Sequence, residues 1–133
     1  MPKRTIRVSF EITDNYEIEG FRNFLKVLMS DDQYDVFIIS NDDSSSYIST
    51  VGAAIGLPTS NIIICNFTND KIQAITNNNI DIHLDNLQSF ILLVDETTDA
   101  YGVIVTRYLN KYYLKPDYII TFDRLVAQIL KDE

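Results

Sequence analysis

The stretch "KIQAITNNNIDIHLDN" sets an ammonium, Lys71, and a carboxylate, Asp85, on either side of one helix-like run and one short apolar strand. Two further polar groups stand where apolar runs stop: Glu11 in "VSFEITDN" and Ser40 in "DVFIISND". Carboxylates, a hydroxyl with backbone amides behind it and an ammonium are the parts that hold a phosphate group and a hard cation such as Mg²⁺. Each residue alone has a plainer reading. A serine before a helix is a common cap. A strand-end aspartate is a common loop residue, and a helix lysine usually lies in solvent. Glu11, between Phe10 and Ile12, would face water if its strand were an edge. The chemical reading rests on their order along the chain, with regular elements between them.

His83, the one histidine, lies two residues before Asp85, so an alternating strand puts both on one face. A packed histidine is the plain reading and a role beside the site the sharper one. Cys65, the one cysteine, ends "NIIIC" and reads as a buried small hydrophobe, with no internal disulfide and no zinc spacing nearby.

The elements that must position these groups alternate. "TIRVSFEI" places Ile6, Val8, Phe10 and Ile12 on one face of a strand. "EIEGFRNFLKVLMS" carries Phe21, Phe24, Leu25 and Leu28 at helical spacing. "DVFIIS" and "NIIIC" read as strands buried on both faces. Between them, "NDDSSSYISTVGAAIGLP" opens on capping residues and stops at Gly56 and Pro58, as a helix does. "NDKIQAITNN" reads as a short helix capped by Asn69 or Asp70, "IDIHL" as a strand, "NLQSFILLVDE" as a helix and "YGVIVT" as a strand. After a connection bearing Tyr108, Tyr112 and Tyr113, "DYII" reads as a last strand and "FDRLVAQILK" as a closing helix. The tyrosine-rich connection is packing beneath a loop or a partner surface. This order argues an α/β fold with a mostly parallel central sheet and helices on both faces. Ligands of such sheets bind at the carboxyl ends of the strands, where Glu11, Ser40 and Asp85 stand.

Composition sets the bounds. The 133 residues, 46% apolar and 23% charged, form one globular domain, 1–133. A net charge of −8 disfavours loose binding to nucleic acid or to an anionic membrane. No apolar run approaches the ~18 residues of a membrane span, and "MPKRTIRVSF" lacks the core of a signal peptide. The expectation is a cytoplasmic protein that binds neither nucleic acid nor membrane.

"EIEGFRNFLKVLMSDDQYDVFIISND" and "KIQAITNNNIDIHLDN" together resemble the haloacid dehalogenase-like (HAD) superfamily, most of whose members are Mg²⁺-dependent phosphohydrolases. The resemblance implies a Rossmannoid three-layer sandwich. It also implies that Ser40 binds the transferring phosphoryl group, that Lys71 neutralises nucleophile and phosphate, and that Asp85 helps hold Mg²⁺. Little sequence separates the motifs where cap domains are inserted, which implies a capless domain open to a phosphorylated small molecule or protein.

The first motif departs from the pattern. Where the family has Asp-x-Asp, "FEIT" places Glu11 at the nucleophile and metal position and Thr13 at the acid/base position. A shifted register would make Asp14 the nucleophile, with Tyr16 at the second aspartate's place and Glu17 or Glu19 as an unorthodox acid. Asn86 stands where a further acidic residue is expected after Asp85. Glutamate can be a carboxylate nucleophile. Yet its extra methylene displaces the carboxylate, and ~1 Å of misplacement costs on the order of a hundredfold. Loss of the general acid costs another ~10²–10⁴. The expectation is a degenerate HAD-like domain without efficient phosphatase activity, one that retains a phosphate or Mg²⁺ site or acts as a binding module. The alternative is an active Mg²⁺-dependent phosphohydrolase using Glu11 or Asp14.

Overall fold

The computed structural model of the chain describes residues 4–12, 19–41, 45–105 and 117–132. Short β-rich runs form the strands β1 (Ile6–Phe10), β2 (Tyr34–Ser40), β3 (Ile62–Ile64), β4 (Ile82–Asp85) and β5 (Tyr101–Ile104). Runs with helical spacing form α1 (Glu19–Met29), α2 (Ser45–Ala54), α3 (Thr68–Asn77), α4 (Gln88–Thr97) and α5 (Asp117–Lys131). The sheet order is β3-β2-β1-β4-β5, and every neighbouring pair is parallel. The chain steps outward from β1 to β3, then crosses back to lay β4 on the other side of β1. The strand order therefore reverses between β1 and β4.

Strand alternation divides the core into two layers. Ile6, Val8, Phe10 and Ile12 pack with Phe21 and Leu25 of α1, Ile48 and Val51 of α2, and Tyr118 and Phe122 of α5. Phe37, Ile39 and Cys65 pack on the other face with Ala74 and Ile75 of α3 and Phe90 and Val94 of α4. The result is a Rossmann-like three-layer α/β sandwich, the fold class expected from the alternating elements. Among the described residues no helix is long and apolar enough to cross a membrane.

Three local expectations are corrected. "DYII" is not a strand but the first turn of α5. Its apolar run belongs to a helical stripe in which Tyr118 and Phe122 meet Phe24 edge-on at 6.0 and 5.1 Å. A short apolar run fits either element, and the period of the residues after it decides. "NIIIC" is a strand, but an edge strand: Ile62 and Ile63 are half-buried and Ile64 is 40% exposed. α3 begins at Thr68 with Phe67 as its N-cap, ahead of the expected Asn69 or Asp70. Asp70 works instead from within the first turn, where its carboxylate accepts the Phe67 N–H at 3.1 Å.

One turn and one strand position show their chemistry in the backbone. Asn79 adopts a left-handed φ of 51° just past α3. The N–H groups of Asn79 and Ile80 return to the carbonyls of Thr76 and Ile75, both at 3.1 Å, closing a Schellman motif. At β5, α4 lies so close that a Cβ on Gly102 would come within 2.8 Å of Ile91 Cγ2 and 3.0 Å of the Ile91 carbonyl oxygen.

Candidate functional site

On the face covered by α3 and α4, β1 offers Arg7, Ser9 and Glu11 while its other face carries Ile6, Val8 and Phe10. β4 answers with His83 and Asp85, and Asp81 stands just before it. The parallel register pairs Ser9 with His83. The same alignment sets Arg7 beside Asp81, whose N–H reaches the Arg7 carbonyl at 2.8 Å. At the other end the Glu11 N–H reaches the Leu84 carbonyl at 2.9 Å, which brings Glu11 beside Asp85. A polar seam thus runs the length of the β1/β4 junction, under a layer that is otherwise apolar.

At the amino end of the seam, Asp81 accepts the Arg7 N–H at 2.9 Å, and the Arg7 guanidinium donates to the Asn78 carbonyl at 2.7 Å. In the middle, Ser9 Oγ lies 2.7 Å from His83 Nδ1, and His83 Nε2 lies 3.2 Å from Asp85 Oδ2. At the carboxyl end, the Lys71 ammonium donates to Asp85 Oδ2 at 3.0 Å and stands 3.7 Å from Glu11 Oε2. The Leu87 N–H donates to Asp85 Oδ1 at 3.0 Å. Lys71 Nζ also sits 4.2 Å from the centre of the Phe90 ring, whose edge meets His83. Glu11, Lys71, His83 and Asp85 are all buried, none more than 4% exposed.

Protonation follows from these surroundings. Burial holds His83 below its ordinary value; the Asp85 hydrogen bond and charge pull the other way, and Lys71 adds to the lowering. His83 is therefore neutral near pH 7, with its proton on Nε2 toward Asp85 and its Nδ1 accepting from the Ser9 hydroxyl. Burial pushes the Asp85 carboxyl up, but the His83 hydrogen bond and the Lys71 charge together outweigh it and hold it below the usual carboxylate range. The ionised Asp85 accepts three hydrogen bonds, from Lys71, His83 and Leu87. That leaves about one of the roughly four acceptor positions of a carboxylate. Ser9, His83 and Asp85 have the connectivity of a nucleophilic triad. Ser9 and His83 are 0% exposed within the sheet, so no substrate carbonyl can reach Ser9 Oγ.

The structure brings Glu11, Lys71 and Asp85 together at the carboxyl end of the β1/β4 junction, where strand order reverses. Ser40 ends the neighbouring β2, fully buried, with its carbonyl accepting the Cys65 N–H at 2.7 Å. Glu11 is not a solvent-facing residue of an edge strand, because β1 is central. Thr13, Asp14, Tyr16, Glu17 and the tyrosines Tyr108, Tyr112 and Tyr113 lie outside the described residues, as does the side chain of Glu19. Ser9 and Arg7 were missed by sequence reasoning. The signal was the polar half of the alternation in "IRVSFE": on a strand covered on both faces, polar residues in alternate positions mark a buried seam rather than a wet face.

Two exposed apolar residues flank this end. Phe67 and Leu87 are 72% and 59% exposed and hold the N-cap positions of α3 and α4. Ser, Thr, Asp or Asn would be usual there. Compared with protein-family models the chain matches none, and no curated protein matches it.

Proposed function

We propose that the chain is a capless HAD-like domain in which an internal ion-pair cluster replaces phosphatase machinery, and that it works by binding rather than by efficient turnover. The observation that carries this reading is the Lys71 ammonium held between Asp85 at 3.0 Å and Glu11 at 3.7 Å, with all three side chains buried. A carboxylate nucleophile must come within ~3–3.5 Å of phosphorus. Glu11 is 4% exposed and already faces an ammonium. Mg²⁺, which the resemblance implies, does not fit this arrangement. Its carboxylate ligands would be Glu11 and Asp85, and the lysine cation stands between them while Asp85 has spent most of its acceptor capacity. The apolar rim of Phe67 and Leu87 further favours a protein partner over a phosphate ester at this end of the sheet.

The test is turnover across a panel of phosphate esters with and without Mg²⁺, including an activated aryl phosphate that needs no general acid. The expected result is no Mg²⁺-dependent hydrolysis above the buffer blank. Mg²⁺-dependent turnover that Glu11→Gln abolishes would overturn the proposal and establish the active phosphohydrolase with Glu11 as nucleophile.

A further inference from the structure

From residue 44 to residue 80 the sequence carries only two charged residues, Asp70 and Lys71, although 23% of the chain is charged and its net charge is −8. The fold gives this gap a location. The segment comprises α2, β3 and α3, which is one whole side of the sandwich: the edge strand and the helix over each of its faces. Lys71 is buried, so Asp70 is the one ionic group this segment contributes to the surface. Tyr47, Ile64 and Phe67 are exposed there at 36%, 40% and 72%.

Both edges of the sheet turn backbone groups outward, and they differ in the charge around them. At β5, the Tyr101 N–H points inward to the Asp81 carbonyl, so the next N–H, that of Gly102, points outward. It is covered by the Asp95 carboxylate at 2.8 Å. Charge placed over an outward backbone group is how sheets protect an edge. At β3, the Cys65 N–H points inward to the Ser40 carbonyl at 2.7 Å, so Ile64 turns its backbone N–H and C=O outward. Among the described residues β3 pairs only with β2. The Ile62 N–H returns to the Thr59 carbonyl, so Ile64 is the outward position of β3, as Ile104 is of β5, where the Asp95 carboxylate stands at the neighbouring Gly102.

We infer that the β3 edge is the interface of a two-fold dimer, in which β3 of one copy pairs antiparallel with β3 of a second copy. Ile64 faces its own equivalent, and the two strands exchange N–H···O=C bonds there. The occupant is a second copy because of charge. Two copies of a chain of net charge −8 repel each other overall, and among the described residues this side exposes one ionic group, so two copies meet here with little repulsion. A neutral apolar patch is complementary to itself, as a two-fold contact requires. A standard interface takes about 800 Å² from each partner, about a tenth of the chain's 7997 Å² surface. The inference deepens the binding reading by naming a partner, and it is tested by mass rather than by turnover, so either can fail without the other.

The experiment is sedimentation equilibrium of the full chain over a wide concentration range, with Ile64→Lys and Phe67→Asp beside it. Lysine on an edge strand blocks pairing. Aspartate at position 67 is a good N-cap, so that variant keeps α3 while adding a like charge across the two-fold. The expected result is the mass of two chains for the wild type and of one chain for both variants, with unchanged circular dichroism. A wild type that stays monomeric at every concentration overturns the inference, and so does a dimer that persists in Phe67→Asp and in folded Ile64→Lys.

Discussion

Removing the Lys71 ammonium while keeping its stem, in Lys71→Met, tests whether the buried cluster is held by charge. Glu11 and Asp85 would then share a buried site with no cation between them. Asp85 keeps the His83 and Leu87 donors, so its own loss is partial. Stripping one partner from a buried pair costs about 3–5 kcal/mol, whereas an exposed pair is worth ~1 kcal/mol or less. All three groups are at most 4% exposed, so the larger figure applies. Part of the cost is relieved when one carboxyl takes up a proton, which desolvation and the loss of the cation both favour. The deficit relative to wild type should therefore be greatest near neutral pH and shrink as pH falls. Urea unfolding followed by circular dichroism measures this as a fall in midpoint at unchanged m-value. Replacing both partners, in Lys71→Met with Asp85→Leu, should cost less than the sum of the single changes, because the ammonium and the carboxylate that face each other at 3.0 Å leave together and Glu11 is the one carboxylate of the cluster that remains. A loss below ~1 kcal/mol for Lys71→Met, or one independent of pH, would refute the reasoning.

Three further outcomes are expected. His83 has a folded value below its unfolded one of about 6.5, so its contribution is intact above that pH and is lost as pH falls below it. As the chain's one histidine, it should give a stability slope of up to about 1.4 kcal/mol per pH unit below ~6.5, which His83→Gln flattens in urea titrations. Gly102→Ala drives a Cβ against the Ile91 carbonyl at 3.0 Å and should cost ~1–3 kcal/mol in the same assay. Asn79→Gly relieves the left-handed backbone at the end of α3 and should raise stability by ~0.5–1 kcal/mol, whereas Asn79→Ala should lower it.

Much of this fold was legible because alternation and helical spacing are direct images of burial. The stripe of Phe21, Phe24, Leu25 and Leu28 became the buried face of α1, and Ile6, Val8 and Phe10 the buried face of β1. The meeting of Lys71 with Asp85 was legible too, since both were placed at one rim by element order. What escaped has physical causes. "DYII" is too short to show a period of its own, and it continues the helical stripe that the residues after it carry. The three isoleucines of β3 look like a buried strand, because apolar composition does not reveal position in the strand order. Ser9 could not be paired with His83 until β4 was known to lie beside β1.

The most direct test of the closed ion-pair site is thermal unfolding with and without Mg²⁺ and beryllium fluoride, a phosphoryl mimic. A ligand at ~100 times its dissociation constant would stabilise the folded chain by about 2.7 kcal/mol. With Lys71 already between Glu11 and Asp85, no shift in the unfolding temperature is predicted. A clear upward shift, lost in Glu11→Gln or Asp85→Asn, would contradict this and mean that the carboxylates still assemble a working phosphate and metal site.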